Sequence, residues 1–151
     1  MTTTGTTLED LGRYEEAIEA YQQAIAIDPK YAYPYNNKGN ALSDLGRYEE
    51  AIEAYQQAIA LDPEWTYPYY NMGVALRKLG RYKEAIEAYQ QAIALDPECT
   101  YPYYNMGVAL RELGRKEEAI EAYRRFIELA DKQKDKEWIK RAKRIIAKLQ
   151  K

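Results

Sequence analysis

The stretch GRYEEAIEAYQQAIALDP, residues Gly46–Pro63, occurs three times with almost no change. It stands at Gly12–Pro29 as GRYEEAIEAYQQAIAIDP and at Gly80–Pro97 as GRYKEAIEAYQQAIALDP, and an altered copy begins at Gly114. The starts at 12, 46, 80 and 114 are 34 residues apart. A fixed step of this size means that the chain is built from one small unit used repeatedly. Within the quoted stretch, Tyr48, Ala51, Ile52, Tyr55, Ala58 and Ile59 fall at steps of three and four, the apolar stripe of an amphipathic helix. Glu49 and Glu50 sit where the helix dipole favours acid, and Asp62-Pro63 ends the element because proline donates no N–H and restricts the residue before it.

A second block lies between the copies: AYPYNNKGNALSDL at Ala32–Leu45, TYPYYNMGVALRKL at Thr66–Leu79 and TYPYYNMGVALREL at Thr100–Leu113. Tyr69, Met72, Gly73, Leu76 and Leu79 give it a helical stripe too. Thr66 and Thr100 suit N-caps, and Pro68 and Pro102 suit first-turn positions. Gly46, Gly80 and Gly114 suit a left-handed stop between the two helices. Small residues in register (Gly39, Ala41, Ala51 and Ala58; Gly73, Ala75, Ala85 and Ala92) let the helices approach closely. One such pair cannot bury its apolar faces, but a stack of pairs can. The expected fold is therefore all-α, a solenoid of helix pairs.

Composition narrows the chemistry. The 151 residues include 22 Lys+Arg against 24 Asp+Glu, 16 tyrosines, one phenylalanine, one cysteine and no histidine. The missing histidine removes His-dependent acid/base work and the Ser-His and Cys-His nucleophile pairs. Glu49/Glu50 and Glu117/Glu118 are adjacent on helix starts, which suits solvated acids and not a catalytic pair. Cys99 takes the place of Trp65 at an inter-repeat turn and reads as a free structural thiol. We expect no enzymatic activity, no metal site and no cofactor. With no basic and apolar leader segment, no long apolar run and one cysteine, the cytoplasm is the expected compartment.

The 34-residue helix–turn–helix unit resembles the tetratricopeptide repeat. The residues that carry the likeness are Tyr69, Met72, Gly73, Leu76, Tyr82, Ala85, Tyr89, Ala92 and Pro97, repeated in register along about Leu8–Leu129. Departures fall at Lys38, Lys116, Phe126 and Asp131. The resemblance implies a right-handed superhelix whose first helices line the inner face. By register those positions are Tyr33, Asn36, Asn37, Asn40, Ser43 and Asp44, then Tyr67, Tyr70, Asn71, Val74, Arg77 and Lys78, then Tyr101, Tyr104, Asn105, Val108, Arg111 and Glu112. The implied function is a protein-interaction scaffold holding an extended peptide or a partner helix. Asn37, Asn71 and Asn105 form a ladder able to hold a peptide bond, or to bond locally. Tyr70 and Tyr104 suit contact anchors, or packing between neighbouring helices. A chaperone-tail carboxylate clamp in relatives uses lysine where this chain has Asn36 and Tyr101, and arginine where it has Asn105. Asn40 and Asn71 match that clamp, but with the cations missing its ligand is not expected here.

The repeats themselves are close copies. Thr66–Tyr89 and Thr100–Tyr123 differ at three of 24 positions, which fits recent duplication or deliberate idealisation. The predicted units are a truncated repeat at 1–31, full repeats at 32–65, 66–99 and 100–133, and a basic capping helix at 134–151. At the first end, Gly5, Leu8 and Leu11 align with Gly39, Leu42 and Leu45, so the first helix would begin before Met1 and hold two turns at most. Tyr14, Ala17, Tyr21 and Ile25 are then expected to be partly exposed, leaving either a frayed monomer or a homo-oligomer formed through this end. At the other end, Lys134–Lys151 carries net +6 against a whole-chain −2, so residues 1–133 carry −8. Trp138, Ala142, Ile145, Ile146 and Leu149 form its expected apolar stripe, with a cap as its main role. Attachment to membrane or nucleic acid through the basic face is the lesser reading and is not expected.

Overall fold

A computed structural model describes residues 12–151; Gly5, Leu8 and Leu11, with the expected short first helix, lie outside them. Among the described residues there are eight helices and no strand: α1 (Tyr14–Ile27), α2 (Ala32–Asp44), α3 (Tyr48–Leu61), α4 (Thr66–Lys78), α5 (Tyr82–Leu95), α6 (Tyr101–Glu112), α7 (Lys116–Leu129) and α8 (Lys136–Leu149). Each helix packs on its neighbours in sequence, and α4 also touches α2 and α6. The result is an all-α solenoid in which long-range contact is between adjacent pairs.

Local chemistry ends the first helices where the repeat predicts. Gly46, Gly80 and Gly114 have φ of +78°, +76° and +74°. The Arg47 N–H donates to the Leu42 carbonyl and the Gly46 N–H to the Ser43 carbonyl, both at 2.9 Å, and this pattern recurs at Gly80 and Gly114. These paired bonds use carbonyls that the helix itself leaves unpaired, and the left-handed φ suits a residue without Cβ. The arginine after each glycine then clasps the glutamate three residues on. Arg81 reaches Glu84 at 2.9 and 2.6 Å, and Arg47 and Arg115 pair likewise with Glu50 and Glu118. Each guanidinium holds its glutamate below the usual carboxylate range.

Threonine capping is corrected. Thr66 is the first residue of α4, behind Trp65 in extended conformation, and Thr100 stands before α6 without a side-chain cap bond. The entry to these helices is fixed differently. The hydroxyls of Tyr35, Tyr69 and Tyr103 donate to the carbonyls of Pro29, Pro63 and Pro97 at 3.2, 3.0 and 3.1 Å, tying each first helix to the turn before it.

The core repeats one contact. Tyr55, Tyr89 and Tyr123 are fully buried. Each ring lies where a Cβ on Gly39, Gly73 or Gly107 would stand, with ideal positions 2.5, 2.5 and 2.9 Å from ring carbons. The missing side chain on the first helix is thus the slot for the tyrosine of the second.

Two expectations about the ends change. Ala17 and Tyr21 are 0% and 7% exposed, while Tyr14 and Ile25 are half-buried. The stripe of α1 faces α2, and it joins Ala41, Leu42 and Ile52 in one cluster. At the other end, α8 buries Ile139, Ala142 and Ile146, with Ile145 and Leu149 partly covered, in a cluster that includes Phe126. Trp138 is 48% exposed and does not belong to that stripe. One residue step turns a helix by about 100°, so Ile139 takes the core position and Trp138 lies to one side against Tyr104.

Candidate functional site

Helices α2, α4 and α6 stand side by side and leave a concavity of about 450 Å³. Asn36, Asn37 and Asn40 line it from α2, Tyr67, Tyr70 and Asn71 from α4, and Tyr101 from α6, with Tyr33 and Trp65 at one edge. It continues past Asn40, Tyr70 and Asn71 into a second concavity of about 560 Å³ that Tyr14, Ser43, Asp44 and Val74 also line. Tyr14 therefore borders this inner face. Tyr104, Asn105, Val108, Arg77 and Arg111 stand outside both concavities, further along α4 and α6.

The asparagines are partly spent on the solenoid itself. Asn36 is buried, and its Oδ1 accepts from Asn71 Nδ2 at 3.1 Å across one repeat. One repeat later Asn105 Nδ2 donates to the Tyr70 hydroxyl at 3.1 Å and to its own helix, the Tyr101 carbonyl, at 3.0 Å. Asn71 and Asn105 thus stitch first helices together and keep their amide oxygens without a partner among the described residues, while Asn37 of the expected ladder lines the concavity and takes no part in these bonds.

Aromatic rings mark one edge. Tyr33 stacks on Trp65 with centroids 5.3 Å apart and planes 16° from parallel, and Tyr31 stacks on Tyr33 at 6.1 Å. Tyr70 meets Tyr101 at 6.1 Å. Tyr31, Tyr33, Tyr67 and Tyr101 are exposed. Trp65 and Tyr31 are contact residues that sequence reasoning left out. Their signal was available: they occupy the repeat position just before the first helix, two residues ahead of Tyr67 and Tyr33. At the far end Tyr104 makes edge contacts with Tyr123, Phe126 and Trp138 at 5.2–5.3 Å, and the Arg141 guanidinium lies 4.9 Å over the Trp138 ring.

The floor differs from repeat to repeat. The Tyr55 hydroxyl donates to Asn40 Oδ1 at 2.7 Å and stands 3.3 Å from Ser43 Oγ. The corresponding residues are Val74 and Arg77 beside Tyr89, and Val108 and Arg111 beside Tyr123. The Tyr89 and Tyr123 hydroxyls and Arg77 Nε are buried without a hydrogen-bond partner. Burial pushes both phenols up, and Arg77 and Arg111, lying close by, offset part of that rise.

Cys99 is half-buried at the place of Trp65, and burial pushes its thiol up, away from the reactive thiolate. On the opposite face, Ile86, Tyr103, Met106 and Leu110 floor another concavity of about 520 Å³ between α5 and α7, rimmed by Glu118, Glu121, Arg124 and Arg125. No described helix is long and apolar enough to cross a membrane.

Family-wide patterns bear on this geometry. That of the TPR repeat matches residues 5–46 and 39–80, and that of the tetratricopeptide repeat matches residues 70–134. The chain belongs to the tetratricopeptide repeat family. Among solved structures, this tetratricopeptide repeat protein is similar to MamA protein at 29% identity, over 89% of this chain and 72% of that one, with a TM-score of 0.78. A second MamA structure aligns over 99% of this chain and 94% of that one, at 25% identity and a TM-score of 0.81. The second TPR domain of human RPAP3, solved in complex with the HSP70 peptide SGPTIEEVD, shares 30% identity over 70% of this chain and 88% of that one, with a TM-score of 0.68. No curated protein matches the sequence.

Proposed function

We propose that this chain is a non-catalytic scaffold that holds an extended peptide from a partner protein along α2, α4 and α6. The observation that carries this reading is the continuous concavity shared by Asn40, Tyr70 and Asn71 and edged by exposed rings. Tyrosine and tryptophan offer large contact area with few rotamers to immobilise. The unspent amide oxygens of Asn71 and Asn105 suit the N–H groups of an extended backbone. The RPAP3 domain, solved with a peptide, supports the same use of the fold. The unit boundaries at 32–65, 66–99 and 100–133 belong to this proposal.

Tyr67→Ala and Trp65→Ala test it on a peptide selected from a displayed library against the full chain. Tyr67 is exposed, so its loss leaves the core intact. Each change is expected to weaken the selected peptide by about 1–2 kcal/mol, roughly five- to thirty-fold. Unchanged affinity in both variants contradicts the groove.

The alternative, a module that homo-oligomerises through Tyr14, Ala17, Tyr21 and Ile25, has less support. Two of those residues are already buried within one chain, although Ile27 nearby is 86% exposed.

A further inference from the structure

The polar groups of the inner face are unevenly matched. In the first full repeat the floor satisfies itself, because Asn40 and Ser43 meet the Tyr55 hydroxyl. In the next two repeats valine replaces that asparagine and arginine replaces that serine. Two fully buried tyrosines, Tyr89 and Tyr123, then keep hydroxyls without a partner, and Arg77 Nε is likewise unpartnered. Arg77 and Arg111 hold the same position one repeat apart on α4 and α6, which touch each other, and both act on the Tyr123 hydroxyl, so these groups lie in one neighbourhood. The phenol oxygens can accept from Arg77 and Arg111, but a guanidinium offers no acceptor in return, so the hydroxyl protons and Arg77 Nε stay unmatched, and a buried donor without an acceptor is costly.

Charge pairing separates these arginines from the others. Arg47, Arg81, Arg115 and Arg125 each hold a glutamate three residues away. Neither Arg77 nor Arg111 has a carboxylate partner among the described residues. The geometry points to a carboxylate site at Arg77, Arg111 and the Tyr89 and Tyr123 hydroxyls, which receives an aspartate or glutamate side chain of the extended peptide. This inference rests on the groove reading above and adds the chemistry of its partner. Arg77 is half-exposed, and its long side chain can turn outward to admit the acceptor. Bonds from guanidinium and phenol to a carboxylate are charge-assisted and strong in a partly dry site. The site is separate from Asn36, Tyr101 and Asn105, where this chain lacks cations.

The test uses the full chain and three labelled dodecapeptides of Ser, Ala and Tyr that differ at two central positions: Glu, Gln or phosphoserine. Fluorescence anisotropy reads the affinities. The glutamate peptide is expected to bind at least fivefold tighter than its glutamine twin. Val74→Asn with Arg77→Ser, together with Val108→Asn and Arg111→Ser, rebuilds the self-satisfied floor of the first repeat. That variant is expected to abolish the glutamate preference without lowering the melting temperature. Tyr89→Phe, which keeps the ring, is expected to reduce the preference at least twofold.

Equal affinity for the glutamate and glutamine peptides overturns the carboxylate site, as does a preference that survives the rebuilt floor. A phosphoserine preference with no glutamate preference overturns it too. If all three peptides bind equally and Tyr67→Ala weakens them, the carboxylate site falls while the groove stands. If none binds and selection also yields no Tyr67-dependent peptide, both fall.

Discussion

Tyr89→Ala is expected to lower the stability of this solenoid by about 3–5 kcal/mol, the range for emptying a large buried aromatic site. The ring is 0% exposed and lies against Gly73 of the partner helix. Its removal opens a cavity between α4 and α5, the two helices of the central repeat, which cannot close without pulling them from their neighbours. Tyr89→Phe separates packing from polarity. The hydroxyl has no hydrogen-bond partner, so its loss leaves no acceptor stranded, and the change is expected to cost less than about 1 kcal/mol. Urea melts monitored by circular dichroism measure both. Similar losses for Ala and Phe would show that the hydroxyl, and not the ring, holds the pair together.

The complementary change is Gly73→Val. A Cβ here would stand 2.5 Å from Tyr89 Cε1 and 2.7 Å from Cδ1, both on a rigid ring enclosed on all sides. Alanine would recover about 0.5–1 kcal/mol of helix preference over glycine against that clash, whereas valine adds two more carbons to it. Overpacking of this kind costs about 1–3 kcal/mol, and Gly73→Val is expected at the upper end. The pair can be tested by a double-mutant cycle. Gly73→Val should be much less damaging in the Tyr89→Ala background, because the cavity then takes the new side chain. Additive losses would mean that Gly73 and Tyr89 do not share a slot.

This Gly–Tyr contact was legible in the sequence, since glycine and tyrosine recur with the 34-residue step and both fall on helical stripes. The glycine stops were legible for the same reason: chain geometry fixes them locally. What escaped depended on neighbours. Periodicity names a helix face, but adjacent residues compete for its edge, so Ile139 and not Trp138 entered the last core layer. Thr66 has the chemistry of a cap, yet the turn is organised by the Tyr69 hydroxyl and the Pro63 carbonyl, a bond six residues long. The inner face was the hardest part. Asn36 and Asn71 look free on single helices, and only stacking shows that they bond to each other. Trp65 and Tyr31 precede their helices, so no helical stripe includes them, although superposing the repeats places both at one edge of the groove. The unpaired hydroxyls of Tyr89 and Tyr123 needed both helices of a pair to be seen together with the residues that replace Asn40 and Ser43.

The most direct test is chemical-shift mapping of the full chain during titration with a library-selected peptide. Resonances of Tyr67, Tyr70, Asn71 and the Trp65 indole N–H are predicted to move together and to saturate at one peptide per chain. Ile86, Met106 and Glu121, on the opposite face, are predicted to stay fixed. Shifts confined to that opposite face, with the inner face unmoved, would contradict the account.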